Sequence, residues 1–346
     1  ERDIESVEDI KTLMKQEELP LEIDIEDIRA RLIKPIKKEL QEKYLKPYPW
    51  LFDFIDQSLD LSEIIKAETA VMNSGGLFHV NLIDDHAIRL LINLHRVNDV
   101  RWINKYFLEA QKTLMNGGCF VGRADTIDTF KRRFFKKYPK HFRELFYALH
   151  CIVFRVLPKL PGIKKVFFAI TKGNNRIISR AEVLGRLYFC GLKVIAEKEM
   201  VNSLYFIAQK SRTPSLDKNP SYGPFVKFER IGSNGRPIYM YKFRTMHPYS
   251  EYLQEYVYEK NKLRKGGKIE NDFRVTGWGK LMRKRWLDEL PTIYNWIKGE
   301  LHLVGVRPLS LHYLSLYSKD LQELRKKVKP GLIPPFYAEL PETFSE

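Results

Sequence analysis

The chain of 346 residues holds 19 glycines, and the first of them is Gly75. A segment without glycine has no residue that enters a left-handed turn at low cost, so helices dominate the expectation for everything before it. Residues 25–44 (IEDIRARLIKPIKKELQEKY) carry apolar side chains at roughly helical spacing, interrupted by Pro35. Trp50, Leu51, Phe54 and Ile55 make a second apolar face. Residues 1–73 therefore read as a helical N-terminal arm packed on the remainder of the chain.

Residues 74–210 alternate strand and helix signals. Residues 77–83 (LFHVNLI) read as a strand, 87–114 as a long helix ended by Gly117-Gly118, and 119–123 (CFVGR) as a buried strand. A helix continues from about Thr126. Ser179 and Glu182 stand at capping-box spacing and open a short helix that stops at Gly191. Residues 192–197 and 204–209 alternate as the arms of a hairpin across 200–203. Strand, helix, strand, helix and closing hairpin predict a three-layer α/β domain. This order resembles the C-terminal half of a class I methyltransferase, whose sheet an antiparallel hairpin also closes. The half that would bind S-adenosylmethionine needs a glycine-rich turn after its first strand, whereas Gly75-Gly76 is expected here to precede a strand. The region reads as a scaffold, with an S-adenosylmethionine-dependent methyltransferase as an alternative.

Hydrophobic residues make up 44% and aromatics 13%, which supports a sizeable core and excludes a disordered tail protein. No run of about 18 apolar residues is present, so no ordinary membrane-spanning helix is expected. The first twenty residues hold no signal-peptide pattern, and the chain opens on Glu1 rather than Met, which fits a native start further upstream. Cys119, Cys151 and Cys190 are scattered, which suits a reducing compartment and argues against a disulfide or zinc framework. Fifty-nine Lys and Arg against 43 Asp and Glu give a net charge of +16. Such a balance favours an anionic partner: nucleic acid, anionic lipid or a phosphorylated substrate.

One apolar segment stands apart. Residues 145–154 (LFYALHCIVF) are apolar, Pro158 and Pro161 break the run, and residues 163–170 (IKKVFFAI) resume it. Such a pair either packs as two core helices or dips into one leaflet of an anionic membrane surface. In the second case Phe154, Arg155, Lys159, Lys164 and Lys165 would meet the lipid. His150, on the apolar side, reads as a core or interface histidine.

Pro214, Pro220, Gly223 and Pro224 mark a linker, and residues 211–346 form the third zone. Its first block, residues 223–246, is strand, Gly-Ser-Asn-Gly turn and strand. The hairpin delivers Lys242 and Arg244 to one face, because strand side chains repeat every two residues. Two such cations suit a diphosphate; a solvated basic edge is the ordinary alternative. The second block, residues 271–291, ends in Leu-Asp-Glu-Leu-Pro. Asp288 and Glu289 are adjacent, and Pro291 fits the first turn of a helix. Free N–H groups and the dipole there favour an ionised carboxylate and attract phosphate. Asp288 is thus a candidate nucleophile or Mg2+ ligand, or an ordinary N-cap. Arg274, Lys280, Arg283, Lys284 and Arg285 crowd the same stretch, which suits a diphosphate. The third block, residues 298–308, runs from a helix-ending glycine through a short apolar run to Arg307 and Pro308. Between the first two blocks, Tyr249, Tyr252, Tyr256 and Tyr258 suit a membrane interface, a mobile lid or a plain amphipathic helix.

YKFRTM, then DxRVTxxGK, then LDELP, then GxRP, in this order, resemble the bacterial sugar transferase family, the monotopic polyprenyl-phosphate glycosyl-1-phosphate transferases. The resemblance covers about residues 220–335. It implies transfer of a sugar phosphate from a UDP-sugar to polyprenyl phosphate with release of UMP, at the cytoplasmic face of a bacterial inner membrane, to initiate surface glycan or exopolysaccharide synthesis. It implies Asp288 as the nucleophile that forms an aspartyl phosphosugar, Glu289 completing the dyad, and Mg2+ on both. Lys242, Arg244, Arg274 and Arg283 would bind phosphate, and Arg307 with Pro308 would lie near the nucleotide. The chain departs from the family pattern at Phe273, Trp286, Thr292 and Val306, and the re-entrant helix that normally stands just before the first block is replaced by the α/β zone. A non-catalytic scaffold of glycan assembly is the second reading. A nucleic-acid partner is not expected, since no groove-reading helix or base platform is identifiable. A homo-oligomer stays open.

Overall fold

A computed structural model describes residues 25–334 apart from 161, 218, 219, 221, 261–271 and 316. Its helices are α1 (Ile25–Ile33), α2 (Pro49–Ser58), α3 (Leu77–Asn81), α4 (Ile103–Thr113), α5 (Ile127–Lys137), α6 (Arg143–Cys151), α7 (Ile163–Thr171), α8 (Arg180–Phe189), α9 (Gln254–Lys260), α10 (Gly277–Lys284), α11 (Ile293–Ile297), α12 (Leu311–Ser315) and α13 (Lys319–Lys327). Short one-turn helices are named by residue range. The strands are β1 (Thr69–Met72), β2 (Ile88–Arg96), β3 (Leu114–Ala124), β4 (Leu192–Met200), β5 (Ser203–Lys210), β6 (Phe225–Ile231), β7 (Pro237–Phe243), β8 (His302–Val304) and β9 (Gly331–Ile333).

The fold class is α/β. Five strands form a sheet in the order β1-β2-β3-β5-β4. The first three run parallel, and the β4–β5 hairpin closes the sheet with β5 antiparallel to both of its neighbours. Register sorts the side chains by parity. Leu91, Phe120 and Ala208 stand in one row across the sheet, and Ile92, Val121 and Ile207 in the next. The first row faces a core shared with Tyr106 and Phe107 of α4 and Leu184 and Leu187 of α8. The second faces Leu51, Phe54 and Ile55 of α2. Each fully buried side chain of this kind stabilises by about 1.5–3 kcal/mol, and residues 36–64 of the N-terminal arm form one outer layer of a three-layer sandwich.

Several local expectations need correcting. Residues 77–83 are not a strand: Leu77–Asn81 form helix α3, and Leu77, Val80 and Ile83 pack inward at a spacing of three. The strand lies earlier, at β1, inside the stretch read as helical. Residues 87–114 are not one long helix: β2 and α4 share the span. A strand buried on both faces reads as a continuous apolar run, which periodicity alone does not separate from a helix. Gly117-Gly118 lie within β3, with Gly117 at φ +79°, where the register to β2 shifts. The capping box is half formed: Ser179 Oγ accepts from the Glu182 N–H at 3.1 Å, while the Glu182 carboxylate pairs with Arg186 at 2.9 Å.

Gly75-Gly76 come after β1 and precede α3, contrary to the expected order. A Cβ on Gly75 would sit 2.7 Å from the His95 ring. The space beside that backbone is therefore filled by this chain's own imidazole. The tyrosine-rich segment is not a lid. The one-turn helix Ser250–Leu253 and α9 bury Tyr249, Leu253, Tyr256 and Val257 in the same core as α8. Close approach is required there: a Cβ on Gly185 would meet the Tyr249 carbonyl oxygen at 2.2 Å.

Asp125, at the end of β3, is buried and accepts from Ser203 Oγ at 2.6 Å, Arg133 Nη2 at 2.9 Å and Arg96 Nη1 at 3.0 Å. Burial pushes its carboxyl up, but the Ser203 hydrogen bond and the two guanidiniums outweigh it and hold the pKa below the usual value. A depressed folded pKa stabilises fully above the unfolded value, about 3.9, and that stability is lost as pH falls through the folded value. Denaturant titrations at descending pH are expected to show stability falling below about pH 4, and the Asp125→Asn protein should be weaker at neutral pH with a flatter fall. An unchanged slope in that variant would refute the assignment.

Candidate active site

The β6–β7 hairpin sets the site. Its turn, Ser233–Gly235, places Asn234 and Gly235 at positive φ, and its register puts Val226 opposite Lys242. Lys242 therefore shares a face with Phe228 and Arg230. Just past β7, Thr245 is the joint with α10. Its carbonyl accepts from the Thr276 N–H at 2.9 Å and from Thr276 Oγ1 at 3.1 Å. Thr276 also caps α10, accepting from the Gly279 N–H at 2.8 Å. Arg283, in the last turn of α10, donates Nε to Thr245 Oγ1 at 2.9 Å. Trp286 at φ +58° then turns the chain into the one-turn helix Leu287–Thr292, with Asp288 and Glu289 in its first turn, leading to α11. Asn295 of α11 ties this unit back to β7, accepting from the Tyr241 N–H at 3.3 Å and donating to the Tyr239 carbonyl at 2.7 Å.

These elements enclose a cleft of about 1330 Å³. Lys242, Arg244, Arg274, Arg283, Asp288, Glu289 and Arg307 all line it, whereas Pro308 does not and is buried beside it. Among the described residues, seven Lys and Arg line the cleft against four Asp and Glu. Phe225, Phe228, Tyr241, Phe243 and Trp286 supply aromatic walls.

The charged groups differ in how committed they are. Glu289 Oε1 is paired with Lys242 Nζ at 2.5 Å. Arg274 is buried, held by both oxygens of Asp272 and by Gln254 Oε1 at 2.7 Å. Its guanidinium braces the cleft floor, with its fork already filled. Arg244 donates Nε to the Gly223 carbonyl at 2.6 Å, while its buried Nη2 has no partner among the described residues. Burial lowers its pKa. An unsatisfied buried guanidinium nitrogen is costly unless an acceptor reaches it. Asp288 is half-buried and, among the described residues, forms no hydrogen bond or ion pair. Its carboxylate shares the cleft with Lys242, Arg244, Arg283 and Arg307 and pairs with none of them.

Arg230 and Lys227 were missed by sequence reasoning. Burial, with Arg307 as a repelling neighbour, lowers the Arg230 pKa. Two guanidiniums left to repel each other at a cleft wall suit an anion between them. Counting in twos back from Lys242 across the turn at residues 233–235 would have found Arg230.

Among the described residues no group of three or more His, Cys, Asp or Glu side chains converges. The donor set fits a cation carried in on a diphosphate, since Mg2+ commonly takes one or two carboxylates plus substrate oxygens.

The model of a family described as bacterial sugar transferase matches residues 215–339. The sugar transferase EpsL of Bacillus subtilis is 41% identical over 108 residues, 31% of this chain and 47% of that protein. The UDP-glucose:undecaprenyl-phosphate glucose-1-phosphate transferase of Xanthomonas campestris is 33% identical over 121 residues, 33% of this chain and 22% of that protein. The chain thus spans less than half the length of either relative. Among solved structures, geranyl diphosphate C-methyltransferase of Streptomyces coelicolor aligns at 12% identity and a TM-score of 0.22, covering 37% of this chain and 50% of that one. That likeness is too slight to carry any argument about the sheet.

Proposed function

Residues 215–339 belong to the bacterial sugar transferase family, and from that premise we propose that the chain transfers a sugar 1-phosphate from a UDP-sugar to a polyprenyl phosphate. The observation that carries this reading is the uncommitted Asp288 carboxylate in a cleft walled by Lys242, Arg244, Arg283 and Arg307.

A carboxylate is a weak nucleophile, and a diphosphate repels it. Cations around the phosphoryl oxygens relieve that repulsion and stabilise charge as the transition state forms. In the first step an Asp288 oxygen attacks the β-phosphorus, the bond from that phosphorus to the bridging oxygen breaks, and UMP departs with the electron pair. In the second, an oxygen of the lipid phosphate attacks the same phosphorus and the aspartate is released. Two steps let a soluble donor and a lipid acceptor use one pocket in turn. Glu289 holds Lys242 in place, Arg283 is aimed by Thr245, and Arg244 adds a guanidinium to the cleft wall beside the phosphoryl oxygens. Mg2+, when bound, would be held by Asp288 and the second oxygen of Glu289 and would offset phosphate charge. A water-soluble donor and a lipid acceptor set the work at the cytoplasmic face of a bacterial inner membrane, as the opening step of a surface glycan.

The test is to incubate the protein with UDP-sugar and no acceptor, then map peptides by mass spectrometry. A sugar-phosphate adduct on the peptide bearing Asp288 is expected. Turnover without an adduct would leave direct displacement, and a folded protein that releases no UMP with any UDP-sugar would leave only a scaffold.

A further inference from the structure

The α6–α7 hairpin belongs to the α/β part of the chain, yet it is apolar on two sides. Its inner side is filled: the His150 ring stacks between Phe130 of α5 at 4.8 Å and Phe154 at 4.4 Å, and Phe154 meets Phe167 at 6.1 Å. Phe154 thus turns inward. The outer side carries Leu145, Leu149, Ile152 and Val156, spaced four, three and four apart, with Val153 beside them and Val166 across the hairpin, all exposed. A helix apolar all round is normally covered all round, and a contiguous exposed apolar patch marks an interaction surface.

Charge says what covers it. Residues 131–172 hold twelve Lys and Arg against a single acid, Glu144. Lys136, Lys137, Lys140, Lys165 and Lys172 are exposed; the side chains of Lys159 and Lys164 lie outside the described residues. No described helix is long and apolar enough to cross a membrane. An exposed apolar face on a short broken hairpin, within a segment this rich in exposed cations, fits the headgroup and upper acyl region of an anionic bilayer.

We infer that the outer face of the α6–α7 hairpin is the docking surface for an anionic lipid bilayer. The hairpin is joined to the cleft, because Arg155 Nη2 lies 3.0 Å from His247 Nδ1, and His247 is next in the chain to the cleft-lining Met246. A docked bilayer is thereby held near the strand end that carries Lys242, Arg244 and Thr245. The choice of lipid over a second copy of the chain rests partly on the transferase reading, whose acceptor is a lipid.

The experiment is co-sedimentation of the full chain with vesicles of phosphatidylcholine, with and without phosphatidylglycerol. Binding is expected to the anionic vesicles, to weaken with salt, and to drop by more than about tenfold in Leu149→Asp/Val153→Asp. Val166→Asp gives an independent check from α7, and melting curves verify that each variant folds. UMP release with a short-chain, water-soluble acceptor should be unchanged in the variants. Wild-type-like vesicle binding by folded variants overturns the inference. So does a dimer in light scattering that the same changes split while vesicle binding persists, which would make a second copy the occupant. Hairpin-dependent vesicle binding without UMP release would sink the transferase reading alone.

Discussion

Replacing Asp288 by Asn is expected to lower UMP release by about a thousandfold or more while leaving the melting temperature unchanged. The substitution keeps the shape and removes the anionic oxygen that attacks phosphorus. Stability should not suffer, because the carboxylate has no hydrogen bond or ion pair among the described residues to lose. Glu289→Gln makes the contrast. It breaks the pair with Lys242 Nζ, removing the carboxylate that holds that ammonium. Its loss should be smaller, about ten- to a hundredfold, and should weaken UDP-sugar binding as well as turnover. Steady-state UMP release across UDP-sugar concentrations, beside thermal melts, separates the two. If Asp288→Asn kept a tenth of the wild-type rate, the nucleophile would have to be sought elsewhere.

Gly279→Ala should damage both the fold of the C-terminal part and its activity. A Cβ there would meet the Thr245 carbonyl oxygen at 2.0 Å. That atom is backbone and accepts two hydrogen bonds from Thr276, so it has nowhere to retreat. The helix must lift off the end of β7, at a cost of about 2–3 kcal/mol for forced overpacking. Lifting α10 also moves Arg283 away from Thr245 and changes the approach to Asp288. A misplacement of about 1 Å can cost about a hundredfold in rate. Gly277→Ala is the control. Its Cβ would meet nothing within 4 Å, and alanine is the better helix former, so stability should hold or rise by up to about 1 kcal/mol. Equal melting temperatures for the two variants would contradict the role given to the joint.

The two experiments bear on different properties of one cleft. Asp288 matters because nothing described restrains it, and Gly279 because nothing larger fits where it stands. Between them lies a chain of positioning contacts, from the Thr276 cap through Thr245 to Arg283, that converts the packing of one helix into the aim of one guanidinium. The hairpin inference adds a third property, since Arg155 and His247 link the same strand end to the apolar face.

Much of the cleft lining was legible in the order of residues. Lys242 and Arg244 at a spacing of two, the paired carboxylates ahead of Pro291, and the terminal Arg-Pro are local patterns. Turn and helix-start chemistry act over a few residues, so they survive without knowledge of the rest of the fold. The α8 cap at Ser179 and the closing hairpin could be read for the same reason. Everything that depends on which side of an element is covered had to wait for the packed molecule. A buried parallel strand and a buried helix both read as unbroken apolar runs, so β2 was hidden inside a helical reading. The tyrosines of residues 249–256 looked like a surface feature until α8 was found beneath them, with Gly185 small enough to admit the Tyr249 carbonyl. Arg274 reads like a phosphate ligand in one dimension, but Asp272 and Gln254 already fill its guanidinium. Commitment of a charge is a property of its neighbours in space, and only the fold brings those neighbours together.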